Sequence, residues 1–138
     1  MSAYWDSSAL VEATLEEEVR WTLVREGGLT RAHSFSEVFS TLTGGRLGFR
    51  SRPEDAAKIC RELASELDVV DLGTEGVLLA IGKARRHGVR GGQIHDFLHA
   101  QAALKSGCDI LLTLNLEDFR SLRLPLKVAA PPRGQAGE

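Results

Sequence analysis

The sequence predicts an α/β protein, built on a central and mostly parallel sheet with helices on both faces. Two observations predict it. Short apolar segments alternate with longer amphipathic ones along the chain, the order of successive βαβ units. The most apolar segment, "CDILLTLN" (108–115), is a continuous run, as in a parallel strand covered on both sides. A chain of 138 residues, 43% hydrophobic and 26% charged, suffices for one core, so a single domain is expected.

Each element has a local reason. Ser2 to Trp5 is short, aromatic and closed by Asp6-Ser7-Ser8, which reads as a first strand. A helical stretch runs from Ser8 to Glu26 with a break near Thr14-Leu15. Glu16, Glu17 and Glu18 form a solvated face, and Gly27-Gly28 ends the stretch. Leu29 to Ala32 suits a short strand. "HSFSEVFSTL" opens a helix with Ser34 as N-cap and Glu37 three residues later, the spacing of a capping box. "TGGRLGFRSRP" is a flexible, basic connection, and Pro53 fits the first turn of a helix reaching Glu66. Leu67 to Leu72 reads as a strand, Thr74 to His87 as a helix and "GVRGGQ" as a loop. Gln93 to Ser106 reads as a helix stopped by Gly107. After the apolar strand, "LKVAAP" is the last strand. Residues 1–131 form the domain, and 132–138 are a polar tail expected to be disordered.

Composition narrows the function classes. The formal net charge of -2 excludes a global basic field for duplex DNA. Cys60 and Cys108 lie far apart, outside any CxxC pair, which favours buried thiols in a reducing compartment over a disulfide framework. No window has the length of a membrane span and no signal-like start is seen, so a cytoplasmic protein is expected.

Four polar positions stand out: Asp6, Glu37, Asp96 and Asn115. Asp6 and Asn115 close predicted strands, and Glu37 and Asp96 lie in first turns of predicted helices. In a parallel α/β sheet these ends share one edge, where ligands bind. Three converging carboxylates repel one another unless a cation neutralises them, and a hard divalent ion, Mg²⁺ or Mn²⁺, suits all-oxygen ligands. Each residue also has a purely structural reading. Asp6 suits a helix N-cap, Glu37 the Ser34 capping box, Asp96 the helix dipole and Asn115 a turn. Ala100 and Ala103, on the helix face of Asp96, let that helix lie close to the sheet or simply fill a tight core.

"AYWDSSALVE", "SFSEVFSTL", "GGQIHDFLHAQAALKSGCDILLTLNLEDF" and "LPLKVAAP" follow one another in the order and spacing of a PIN domain. The chain resembles VapC-type ribonuclease toxins of type II toxin–antitoxin pairs over residues 2–131, most specifically between Ile94 and Phe119. The resemblance implies a PIN-like three-layer α/β/α fold and a metal-dependent ribonuclease. It makes Asp6, Glu37 and Asp96 the acidic, metal-holding cluster. Asn115 falls where many members carry a fourth acid, so the pocket has one negative charge fewer, which bears on a second metal. Asp118 matches a lesser position before the aromatic Phe119, and Thr113 and Ser7 are candidates to orient metal-bound water. Ser7 equally suits a cap of the first helix. A VapB-like antitoxin covering the pocket and a homodimer are further implications. Phe35, Val38, Phe39 and Leu42 offer a dimer face, with core packing as the alternative.

Two basic clusters suit an RNA backbone: Arg46, Arg50 and Arg52 with Phe49 interleaved, and Lys83, Arg85, Arg86 and Arg90, the latter read rather as solvated surface. Two rival functions remain. A degenerate PIN domain would bind RNA or a protein without cutting. A zinc hydrolase would use His95 and His99, spaced as in HExxH, although Asp96 replaces the Glu of that motif and both histidines read as partly exposed.

Overall fold

The structure is a computed structural model describing residues 2–134. In chain order its elements are β1 (Ala3–Trp5), α1 (Ser7–Leu15), α2 (Glu17–Glu26), β2 (Leu29–Thr30), α3 (His33–Gly44), α4 (Pro53–Ser65), β3 (Asp68–Val69), α5 (Gly73–Lys83), a 3₁₀ turn (Ala84–His87), α6 (Gln93–Ser106), β4 (Ile110–Leu112), α7 (Leu116–Arg120) and β5 (Val128–Ala129). The five strands are all parallel, in the order β3-β2-β1-β4-β5. Chain order reverses between β1 and β4. The crevice outside their carboxyl ends is the switch point where such sheets bind ligands.

Strand alternation divides the core into two layers. Tyr4 pairs with Leu111, and both belong to the cluster of Phe97, Ala100, Ala103 and Phe119 beneath α6 and α7. Their neighbours Trp5 and Leu112 face the other side, among Ala9, Leu10, Leu23, Val38, Leu42 and Leu63 of α1 to α4. One-residue steps along a strand swap faces, so four consecutive-pair residues anchor both layers. Gly28 is where the backbone needs a glycine: φ is +146°, and a Cβ there would lie 2.7 Å from both Ala3 O and Trp5 Nε1. A side chain at 28 would displace the indole around which that layer packs.

The expected helices and strands are present, with revised ends. The helical break falls at Glu16, whose extended φ and ψ separate α1 from α2. The strand expected over 108–115 pairs only over Ile110–Leu112, and the following residues turn into α7, too short to be read from periodicity. Ser34 is not an N-cap. The helix begins at His33, and the buried Ser34 hydroxyl accepts from Thr30 Oγ1 at 2.7 Å. The apolar face of α3 is core: Val38 and Leu42 are buried, Phe35 packs against them, and only Phe39 is exposed. Exposed apolar side chains include Leu78, Leu79 and Ile81 on α5, and Leu15, Trp21 and Val24 on α1 and α2. Of the tail, Pro132 O accepts from Thr22 Oγ1 at 2.9 Å and Gly134 N–H donates to Glu18 O at 3.0 Å. The rest of the segment expected to be disordered, 135–138, lies outside the described residues. Among the described residues no helix is long and apolar enough to cross a membrane.

Candidate acidic site at the sheet edge

Asp6 sits directly after β1, 2% exposed, with every carboxylate oxygen engaged. Oδ1 accepts from Ala9 N–H at 2.9 Å and from Ser8 Oγ at 2.7 Å, and Oδ2 accepts from Thr113 Oγ1 at 2.6 Å. Asp6 is therefore the N-cap of α1, and Ser7 is not. The Thr113 bond also locks the end of β1 to the end of β4, and Asp6 N–H donates to Leu112 O at 3.1 Å beside it. Burial raises the Asp6 pKa, and the donations from Thr113, Ala9 and Ser8 oppose that rise.

Asp96, half-buried in the first turn of α6, has its pKa pushed up to about 6. Burial is the main cause, the charges of Asp6 and Asp118 add to it, His99 opposes it and Glu37 adds a little. Asp96 thus feels the charges of three acids remote from it in chain order: Asp6, Asp118 from α7 and, most weakly, Glu37. Asn115 stands one link away. Its N–H donates to Thr113 Oγ1 at 2.9 Å, while its exposed side chain makes no cap bond to α7.

Glu37 does not reach back to its helix start. Its Oε1 accepts from Nε2 of His99 at 2.7 Å, and His99 Nδ1 lies 2.9 Å from the Tyr4 hydroxyl. Burial would raise the Glu37 pKa, but the His99 bond and charge, aided by His33 and Arg31, outweigh it and hold the carboxyl below its usual range. Sequence reasoning missed Tyr4 and Arg31, and weighed His99 only as a zinc ligand. His99 is 1% exposed, not partly exposed as expected. Its spacing of three from Asp96 on one helix was the available signal. Arg31 directly follows β2, is 8% exposed and leaves its buried Nε without a hydrogen-bond partner among the described residues.

The zinc arrangement is not assembled. Both nitrogens of His99 already have partners, whereas exposed His95 stacks on His33 with ring centroids 6.2 Å apart. A cleft of about 370 Å³ runs past Glu37, lined by Ser7, His33, Ser36, Arg46 and His95 among others. Arg46 is the member of the first basic cluster on its wall. Arg50 packs over Gly45, and Arg52 pairs with Glu54 at 2.6 Å. Lys83, Arg85, Arg86 and Arg90 are exposed around the 3₁₀ turn.

Among the described residues no three His, Cys, Asp or Glu side chains are arranged to hold an ion between them. The donor chemistry nevertheless suits Mg²⁺ or Mn²⁺. The donors are carboxylate oxygens, one of them strained by like charge, and Mg²⁺ characteristically takes one or two carboxylates and keeps water or substrate phosphate for its other positions.

No family model matches the chain, and no curated protein is similar to it in sequence. Among solved structures the chain is similar to a chain of VapBC-1 from nontypeable Haemophilus influenzae. The TM-score is 0.66 at 18% identity, over 94% of this chain and 98% of that one. What the two share at that identity is the fold, and this chain therefore has the PIN-like three-layer α/β/α fold around an all-parallel sheet.

Proposed function

We propose that the chain is a Mg²⁺- or Mn²⁺-dependent endoribonuclease acting as the toxin of a VapBC-type toxin–antitoxin pair in the cytoplasm. The observation that carries this reading is the gathering of acids near the β1/β4 switch point, where the charges of Asp6, Asp118 and, least, Glu37 raise the pKa of the half-buried Asp96. Asp6, Asp96 and Glu37 would hold the cation. When bound, the ion supplies Lewis-acid polarisation of the phosphate and a lowered pKa for attacking water. The chain's own part is positional. Asp6 is fixed by three donors, Glu37 is fixed by His99, and Arg46 offers a phosphate contact on the cleft wall. Arg50 and Arg52, engaged elsewhere, are secondary contacts for RNA.

The shared fold with a VapBC-1 chain supports a VapB-like antitoxin as partner. For a homodimer, the exposed Leu78, Leu79 and Ile81 of α5 replace the α3 face as the surface to test. A second reading, a non-catalytic module that binds RNA or protein, is favoured by Asn115, an exposed amide where a fourth acid would stand. Incubating total RNA with the purified protein separates the two readings. Catalysis predicts discrete fragments that need Mg²⁺ or Mn²⁺, vanish with chelator and are absent for Asp96→Asn. Intact RNA under every condition would favour the binding module.

A further inference from the structure

We infer that His99 is a positioning residue for the proposed reaction: seated on Tyr4, it holds the Glu37 carboxylate in one orientation at the acidic edge. The inference rests on the ribonuclease reading and adds to it a residue outside the acid set.

Tyr4 and His99 are 0% and 1% exposed, so neither polar group is left to solvent. The Tyr4 hydroxyl lies 2.9 Å from Nδ1, Nε2 lies 2.7 Å from Glu37 Oε1, and the phenol and imidazole meet edge-to-face at 70° with centroids 5.8 Å apart. Directions follow from the donor inventory. A carboxylate oxygen only accepts, so Nε2, 2.7 Å from Glu37 Oε1, carries a hydrogen. In the neutral ring Nδ1 then accepts, and Tyr4, kept protonated by burial, donates to it. One tautomer satisfies both ends.

The three side chains come from β1, α6 and α3, so the relay ties the start of α3 to α6 through the sheet. A core needing only volume at position 99 would be served by an aliphatic side chain, and a buried imidazole costs stability unless both nitrogens are bonded. What the pair accomplishes is control of Glu37. The nearby carboxylates would drive this long side chain outward. Its Oε1 is committed to His99, while Oε2 accepts no hydrogen bond from the described residues and is left for the cleft. Outer hydrogen-bond partners of metal-holding carboxylates set both orientation and affinity.

The test is Mn²⁺ affinity of the purified full chain, titrated by electron paramagnetic resonance without RNA, with thermal melting of each variant as the folding control. His99→Leu should weaken Mn²⁺ binding by roughly 10- to 100-fold. His99→Gln, whose amide can donate to Oε1, should recover most of the loss, and Glu37→Gln with His99→Leu should bind no worse than Glu37→Gln alone. Folded His99→Leu that binds Mn²⁺ like wild type, beside an impaired Glu37→Gln, would overturn the positioning role and leave the nuclease reading intact. Unchanged binding in both Glu37→Gln and Asp96→Asn would instead sink the metal site, and the inference with it. If His99→Leu does not fold, imidazole ¹⁵N shifts of the wild type decide. Nε2–H with an accepting Nδ1 supports the relay, and a ring protonated on Nδ1 alone overturns it.

Discussion

Asp6 and Asp96 are the same residue type on the same edge of the sheet, and burial raises the pKa of each, but their surroundings differ. At Asp6 burial does the raising, while Thr113, Ala9 N–H and Ser8 pull the other way. At Asp96 burial is joined by the charges of Asp6 and Asp118, and none of the described groups donates a hydrogen bond to it. Asp6 is built into the fold, as the cap of α1 and the link from β1 to β4. Asp96 gains from the fold only the dipole at the start of α6, while burial and like charges oppose it. Capping alone would explain the first residue. For the second, the proposed metal chemistry supplies a reason beyond the helix dipole.

The largest expected effect separates the two directly. Asp96→Asn should remove metal-dependent RNA cleavage, a loss beyond the roughly 100-fold that outer-shell changes reach. Its melting temperature should hold or rise, because a like charge is gone. Mn²⁺ should raise the melting temperature of the wild type and not of the variant, since only a bound ligand stabilises by mass action. An inactive variant that also melts early would make Asp96 structural and erase the contrast.

Asp6→Ala comes next. The lost cap and the unpaired Thr113 and Ser8 hydroxyls should together cost about 2 kcal/mol in urea denaturation. Asp6→Asn keeps a capping oxygen and should stay within about 0.5 kcal/mol of wild type. It should still lose cleavage. If Asp6→Ala unfolded at the wild-type midpoint, the hydrogen bonds at the end of β1 would not have the integrating role assigned to them.

How far the site was legible follows the same division between local and remote causes. The parallel sheet and the edge position of Asp6 and Asp96 were readable, because strand and helix ends follow from short-range periodicity. His99 was not. Its polarity suggested exposure, but it is buried by Tyr4 and Glu37, 95 and 62 residues away. The Ser34 capping box failed for a related reason. The spacing was correct, but Thr30 donates to the serine hydroxyl and His99 to the glutamate, so tertiary partners overrode a local motif. The apolar face of α3 was counted correctly and its cover left open, since nothing in Phe35, Val38 and Leu42 says whether α1 and α4 or a second chain covers them. Arg31 carried no pattern at all.

A smaller effect tests the link that makes Asp6 structural. Thr113→Val removes the donor to Oδ2 and the acceptor for Asn115 N–H at nearly constant shape. About 1 kcal/mol of stability should go with them. The same change at Ser36, whose hydroxyl donates to His33 O on the exposed start of α3, should cost less. Equal losses would mean that the β1–β4 link is not special.

The last effect lies in how stability varies with pH, and its sign follows from the directions already given. Asp96 has a folded value of about 6 against an ordinary 3.8, so the folded chain keeps a proton that the unfolded chain has lost. Stability therefore falls as pH rises between those two values, and Asp6, also raised, acts with the same sign. Glu37 acts oppositely and lower down. Its contribution is present above its ordinary 4.5 and is lost as pH falls through its depressed folded value. Asp96→Asn removes only the upper fall. The stability of the variant minus that of the wild type should therefore grow from pH 3.8 to about 6 and stay level above it, read from urea midpoints across that range. A difference independent of pH would mean that Asp96 carries no strained charge. Its contrast with Asp6 would then rest on hydrogen bonds alone.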